Sequence, residues 1–177
     1  MQQTHSHPSS LQMLPKNATI RFKGVIATLG GIGFLPKMPG TFGSAAVALL
    51  VMLCVAETAW IVRSVLFGIA CVAFLLGLWA VPALEKYWGN DPACVVLDEV
   101  VGMSLTLISP LLPFSFGWTV LGFILFRVFD ITKPFPISRI NARTGAFFVM
   151  FDDVIASLYA LVVLHGIWLI SQLLGFQ

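Results

Sequence analysis

Four long apolar stretches of this chain carry no Asp, Glu, Lys or Arg: Phe42 to Ala56, Ser64 to Leu84, Val100 to Phe126 and Val154 to Phe176. A helix that crosses a bilayer needs about 20 predominantly apolar residues, and only a helix or a closed barrel pairs every backbone group within hydrocarbon. The first stretch is short, and Glu57 to Arg63 reads as a tight polar connection into the second. Pro110, Pro113 and Gly117 interrupt the third, which predicts two short helices joined by a bend near Leu112 to Trp118. Gly24 to Leu35 is apolar and Gly-rich but too short to cross, and so reads as interfacial or re-entrant. The predicted fold is all-α, a polytopic transmembrane helical bundle of four to five short spans.

The polar start, Met1 to Asn17, has no apolar stretch followed by a small-residue cleavage site. It reads as a disordered tail, drawn as residues 1–20, ahead of one domain over residues 21–177. Lys16, Arg21, Lys23 and Lys37 precede the first span, Lys86 follows the second, and Arg127, Lys133, Arg139 and Arg143 lie between the fourth and fifth. Only Arg63 falls on the other side. Lys and Arg favour cytoplasmic loops, which places the N-terminus, Glu85 to Glu99 and Arg127 to Asp153 in the cytosol.

Composition agrees with a membrane protein: 58% of the 177 residues are hydrophobic and 10% charged, with a mean hydropathy of +0.94, against about 45–50% and 25% in soluble domains. A net charge of +2, with no basic run interleaved with aromatics, excludes a nucleic-acid partner. Cys54, Cys71 and Cys94 form no CxxC pair and read as packing residues.

The acids carry the chemical information. Of eight, five gather at the predicted cytoplasmic ends of spans: Asp98, Glu99, Asp130, Asp152 and Asp153. Adjacent acids occur twice, in VVLDEVVG and VMFDDVIA, and each pair is expected to open an apolar helix, where the dipole favours negative charge. Capping needs one acid rather than two. Carboxylates converging from three helix ends would repel one another unless a hard cation such as magnesium neutralised them. Solvated helix caps are the alternative reading.

In Phe126 to Ile137, Arg127 and Asp130 share a helix face, and Pro134 and Pro136 end that helix just after Lys133. Arg127 could grip phosphate oxygens in a fork and Lys133 could add a point charge, or both could be cytoplasmic anchors. Thr41 and Ser44, among the glycines of MPGTFGS, stand where a helix start could hold a phosphate or merely begin a span. Other phosphatase chemistries lack their nucleophiles. His165 lies in the last apolar run, His5 and His7 in the tail, no Cys precedes an Arg by six positions, and Asp130 leads to Ile131-Thr132 rather than a second Asp. Metal-assisted attack by water, or a carboxylate nucleophile, remains.

PGTFGS, VVLDEVVGM, FRVFDITKPFPI and FDDVIA, in this order, resemble the motifs of bacterial phosphatidylglycerophosphatase A over roughly Gly33 to Ser157. The resemblance implies a magnesium-dependent, multi-pass inner-membrane hydrolase. Such an enzyme converts phosphatidylglycerol phosphate to phosphatidylglycerol, with its active site facing the cytoplasm. It carries the acidic positions onto Asp98, Glu99, Asp130, Asp152 and Asp153 as catalytic and metal-binding residues. Arg127 and Lys133 become phosphate partners, and Thr41 and Ser44 fall in the glycine motif. The chain departs from the family pattern at Asn141, where Asp is expected, and over residues 143–147, where a richer glycine stretch is expected. A small ion- or proton-coupled transporter using the same acids is the rival reading; it predicts acids near the bilayer midplane.

Overall fold

The computed structural model describes residues 17–54 and 58–175. Among these the chain is all-helical, with no strand. The helices are α1 (Ala18–Ala27), α2 (Pro39–Leu53), α3 (Ala59–Trp88), α4 (Leu97–Leu107), α5 (Phe116–Thr132), α6 (Ile137–Asn141) and α7 (Ala146–Leu173), with a 3-10 segment over Leu29–Phe34.

Two helices, α3 and α7, are long and apolar enough to cross a membrane by length and composition. At 1.5 Å per residue they extend about 45 Å and 42 Å, beyond a hydrocarbon core of about 30 Å. Helices α2, α4 and α5 have 15, 11 and 17 residues, short of the roughly 20 that a simple crossing takes.

Local chemistry explains the boundaries. Asn17 caps α1 by accepting from the Thr19 and Ile20 amides at 2.9 and 3.4 Å. Residues 18–20, drawn with the tail, are therefore helical, while the tail up to residue 16 lies outside the described residues. Thr58 stands at the start of α3, so Ala59 to Arg63, expected as connection, form its first turns; Glu57 lies outside the described residues. Pro110 and Pro113 fall in the bend between α4 and α5, where the interrupted run predicted it. Lys133 takes a left-handed conformation (φ 40°) as α5 ends. Helix α7 begins after Gly145 (φ 109°), several residues earlier than the expected span.

Helix α4 is the centre. Eight of its 11 residues are buried, and it packs against α2, α3, α5 and α7, as befits an element apolar on nearly all sides. Glycines set the closest crossings. A Cβ on Gly102 would lie 2.3 Å from the Phe126 ring and 3.0 Å from the Asp153 carbonyl, and one on Gly77 would lie 2.2 Å from Met150 Sδ. These absent side chains let α5 and α7 come up against α4, and α7 against α3. At the end of α4 away from its acids, Arg63 donates to the Ser109 and Leu112 carbonyls at 2.9 and 3.1 Å, and Ser109 Oγ meets His165 Nε2 at 2.5 Å. This polar knot ties α3 and α7 to the bend.

Candidate active site

The other end of α4 begins with Leu97-Asp98-Glu99, so both acids fall in its first turn, where the helix dipole favours negative charge. The second acidic pair does not open its helix. Asp152 and Asp153 sit about two turns into α7, because Ala146 to Phe151 is already helical. Their position comes from packing: α7 crosses α4 at Gly102, which brings Asp153 over the first turn of α4.

The five acids separate into two groups. Ligand oxygens of Asp98, Glu99 and Asp153 lie within 4.8 Å of one another, and Asp98 Oδ1, Glu99 Oε2 and Asp153 Oδ2 are buried without a hydrogen-bond partner. Leaving a buried acceptor unsatisfied costs about 1–3 kcal/mol, more when it is charged. The other two acids are engaged by cations. Asp130 Oδ2 is 2.6 Å from Arg127 Nη1 and its Oδ1 is 3.7 Å from Lys133 Nζ. Asp152 accepts from Lys133 and, at 3.0 Å, from Asn141 Nδ2.

Arg127 is oriented but not used up. Its Nη1 is also 3.8 Å from Glu99 Oε1. Nη1 is thus held between two carboxylates, and Nε is a buried donor with no hydrogen-bond acceptor. The site therefore holds unpartnered carboxylate oxygens beside a guanidinium whose Nε lacks an acceptor. Its chemical complement is a cation together with an oxyanion.

The glycine motif reaches the same place. Met38 adopts a left-handed conformation (φ 62°) and Pro39 opens α2. Gly40 then faces Glu99 so closely that a Cβ would fall 1.7 Å from Glu99 Oε1. Thr41 Oγ1 is buried with no partner. Ser44, also buried, donates to the Gly40 carbonyl at 2.9 Å, so its hydroxyl is satisfied within α2.

Burial raises the Asp98 carboxyl well above the usual carboxylate range, and the adjoining Glu99 raises it further. Burial also raises Glu99, to about 8, with Asp153 and Asp130 adding to the rise and the Asp98 hydrogen bond and Arg127 opposing it. For Lys133 burial pulls downward, but the hydrogen bond and charge of Asp152, with Asp153 and Asp130, more than offset it and hold the ammonium above its ordinary value.

All nine residues singled out from the sequence lie on α2, on the first turn of α4, at the end of α5 or about two turns into α7. The sequence pattern gave no role to Asn141, which also approaches Asp91 Oδ2 at 3.4 Å, nor to Gly40 and Gly102. Asn141 was visible as a departure from the family pattern. The two glycines stand inside the motifs PGTFGS and VVLDEVVGM, but no packing role was read for either.

The chain matches the family described as Phosphatidylglycerophosphatase A over residues 25–168. A Bacteroides thetaiotaomicron protein, provisionally named a phosphatidylinositol-3-phosphatase, is 35% identical over 79% of this chain and 89% of its own length. Proteins named Phosphatidylglycerophosphatase A from Haemophilus influenzae and Escherichia coli are 34% and 30% identical. Each match covers 77% of this chain, and 83% and 78% of those proteins respectively. No solved structure matches the chain.

Proposed function

This chain belongs to the phosphatidylglycerophosphatase A family, and from that premise we propose that it hydrolyses phosphatidylglycerol phosphate to phosphatidylglycerol and phosphate, with magnesium, at the cytoplasmic face of a bacterial inner membrane. Family membership makes it a phosphoric monoester hydrolase. The observation that carries the finer reading is a buried trio of carboxylates, Asp98, Glu99 and Asp153, with oxygens within 4.8 Å of one another and one oxygen of each without a hydrogen-bond partner, next to Arg127, whose Nη1 is ion-paired with Asp130 and whose Nε has no acceptor.

Asp98, Glu99 and Asp153 fit a hard divalent ion, being all-oxygen donors with free lone pairs. Bound there, magnesium would supply Lewis-acid polarisation of the phosphoryl group and activation of water. Asp130 and Asp152 act one step back, holding Arg127 and Lys133 toward the phosphate. Arg127 takes phosphoryl oxygens through its guanidinium, Lys133 adds a point charge, and Thr41 Oγ1 supplies a further contact. Water delivers the new oxygen to phosphorus, the bond from phosphorus to the lipid oxygen breaks, and that oxygen leaves protonated.

The acids lie at one end of the bundle, where Lys and Arg place the cytosol, with α3 and α7 as full spans and α2, α4 and α5 as shorter membrane-inserted helices. An ion- or proton-coupled carrier gains no support, since the relatives are named as phosphatases. Phosphate release should be measured on phosphatidylglycerol phosphate and on phosphatidylinositol 3-phosphate, with magnesium and then with chelator. We expect release from the glycerol lipid that stops on chelation and is lost in Asp98→Asn and Asp153→Asn protein that still folds. Chelator-resistant activity would reject the metal, and preference for the inositol lipid would reject the substrate.

A further inference from the structure

An acid outside the quoted motifs reaches the site from the turn between α3 and α4. Gly89 (φ 88°) ends α3, and two residues on Asp91 takes a left-handed φ of 48°. That conformation is uncommon for any residue but glycine, although Asp accepts it more readily than most. It persists where the surroundings fix the chain, and here they do. The Pro92 carbonyl accepts from Val95 N at 2.8 Å, and Val96 N donates to the Ala27 carbonyl at 2.9 Å. Gly33 lies against the Cys94 carbonyl, where a Cβ would fall 1.8 Å from the oxygen. The turn is thereby tied to α1 and to the 3-10 segment, while Asp91 itself stays exposed.

Asp91 Oδ2 accepts from Asn141 Nδ2 at 3.4 Å, and the same nitrogen donates to Asp152 Oδ2 at 3.0 Å. An amide nitrogen carries two N–H groups, so both are committed to carboxylates, and the amide cannot turn over without presenting its oxygen to two anions. That Asp152 oxygen also accepts from Lys133, while Asp152 Oδ1 accepts from Asp153 N at 2.9 Å. The contacts run without a break from Asp91 through Asn141 and Asp152 to Lys133. We infer that Asp91 is a positioning residue for phosphate release, fixing the Asn141 amide and, through Asp152, the Lys133 ammonium that meets the phosphate; the inference rests on the hydrolase reading above.

Two substitutions separate this relay from a direct effect of the Asp91 charge, which is near enough to act on Asp98. Asp91→Gly suits the left-handed φ and removes the acceptor. Asp91→Asn suits the same φ, removes the charge and keeps a carbonyl oxygen as acceptor. Loss of a supporting partner costs about 10–100-fold. Asp91 stands one contact further back, on the longer of the two bonds, so kcat on phosphatidylglycerol phosphate should fall about tenfold in Asp91→Gly. KM should not move, because Lys133 acts on charge that develops in the transition state. A neutral hydrogen bond is about half as strong as a charge-assisted one, so Asp91→Asn should recover to within about threefold of the parent. Asp91→Gly added to Asn141→Leu should cost nothing more, and Asn90→Ala, in the same turn, should keep the parental kcat. Parental kcat in Asp91→Gly, or losses that multiply in the double variant, would overturn the proposal. So would Asp91→Asn as slow as Asp91→Gly, which would assign the effect to charge, or an equal loss in Asn90→Ala, which would assign it to the turn.

A second arm needs no turnover. The chain has three asparagines, Asn17, Asn90 and Asn141, so isotope-labelled asparagine resolves the Asn141 side-chain amide by NMR in mixed micelles, and Asn141→Leu identifies its signals. Hydrogen exchange of that amide should quicken by up to about tenfold in Asp91→Gly, as loss of one hydrogen bond allows. Unchanged exchange would overturn the proposal whatever the activity. Quickened exchange in a protein whose parent releases no phosphate would keep the contact and remove the hydrolase reading.

Discussion

A methyl group added at Gly40 lands on the acid cluster and on little else. In Gly40→Ala the new Cβ would lie 1.7 Å from Glu99 Oε1, 2.6 Å from Cδ and 3.1 Å from Cγ. A comfortable carbon–oxygen contact is about 3.3–3.6 Å, so the carboxylate must withdraw by roughly 1.6 Å. It is the far end of a flexible side chain, and the withdrawal costs the fold little. Gly40 lies in α2 without a left-handed φ, so alanine suits the backbone and favours the helix by up to about 1 kcal/mol. Misplacing a reacting group by about 1 Å costs on the order of 100-fold in rate, equivalent to about 2.7 kcal/mol of barrier. Expected, then, is a kcat for phosphate release about 100-fold below the parent, with a melting temperature equal or slightly higher. Gly43→Ala is the matched control, because its Cβ would meet Val96 Cβ at 3.0 Å and no acid; its kcat should stay within a few-fold. Parental kcat in Gly40→Ala would refute the claim that Glu99 must sit where it does. A melting temperature several degrees lower would refute the claim that only a mobile carboxylate is displaced.

Asn141→Leu removes the amide that donates to Asp152 and approaches Asp91. Changes to such supporting partners typically cost 10–100-fold in metal affinity or activity. A loss of that size at unchanged melting temperature is expected, and unchanged kcat with an unchanged magnesium requirement would dismiss the role. Gly33→Ala would put a Cβ 1.8 Å from the Cys94 carbonyl oxygen, and a backbone atom cannot swing aside. Overpacking costs about 1–3 kcal/mol, so denaturant titration in mixed micelles should show the loss, and wild-type stability would contradict the packing. Arg63→Met breaks two charge-assisted bonds to the bend after α4, each worth about 1.5–3 kcal/mol when not solvent-screened. Because Arg63 is partly exposed, about 1.5–3 kcal/mol for the pair is expected, with kcat and KM unchanged; altered kcat would mean that the two ends of the bundle communicate.

Much of the fold was legible where chemistry interrupts apolarity. Pro110 and Pro113 announced the turn between α4 and α5, although Gly117, read with them, falls in the first turn of α5, and Pro134 and Pro136 announced the end of α5. The start of α7 was not legible. Ala146 to Phe151 is as apolar as the run beyond Asp153, so the acids drew attention as a boundary when the boundary is Gly145. The start of α3 was missed for the converse reason: Arg63 looked like a loop charge but serves the bend from inside the helix. At the site, the sequence marked five acids that the fold brings to one end of the bundle, but not how they divide. That division depends on approach distances at Gly40 and Gly102, and an absent side chain leaves no pattern along a chain.

The division also bears on why five carboxylates accompany only two cations. If all five bound metal, Arg127 and Lys133 would be free to wander on long side chains. Pairing each with a dedicated acid, Asp130 or Asp152, fixes their heads beside the trio before any ligand arrives. Preorganised charge of this kind stabilises a transferring phosphoryl group without reorganisation at the moment of reaction. A proton or ion carrier needs the reverse, an acid whose partner can be exchanged as access alternates across the membrane. Here the paired acids are held to their cations at one end of the bundle, and Glu99 of the trio faces the same Arg127 guanidinium at 3.8 Å.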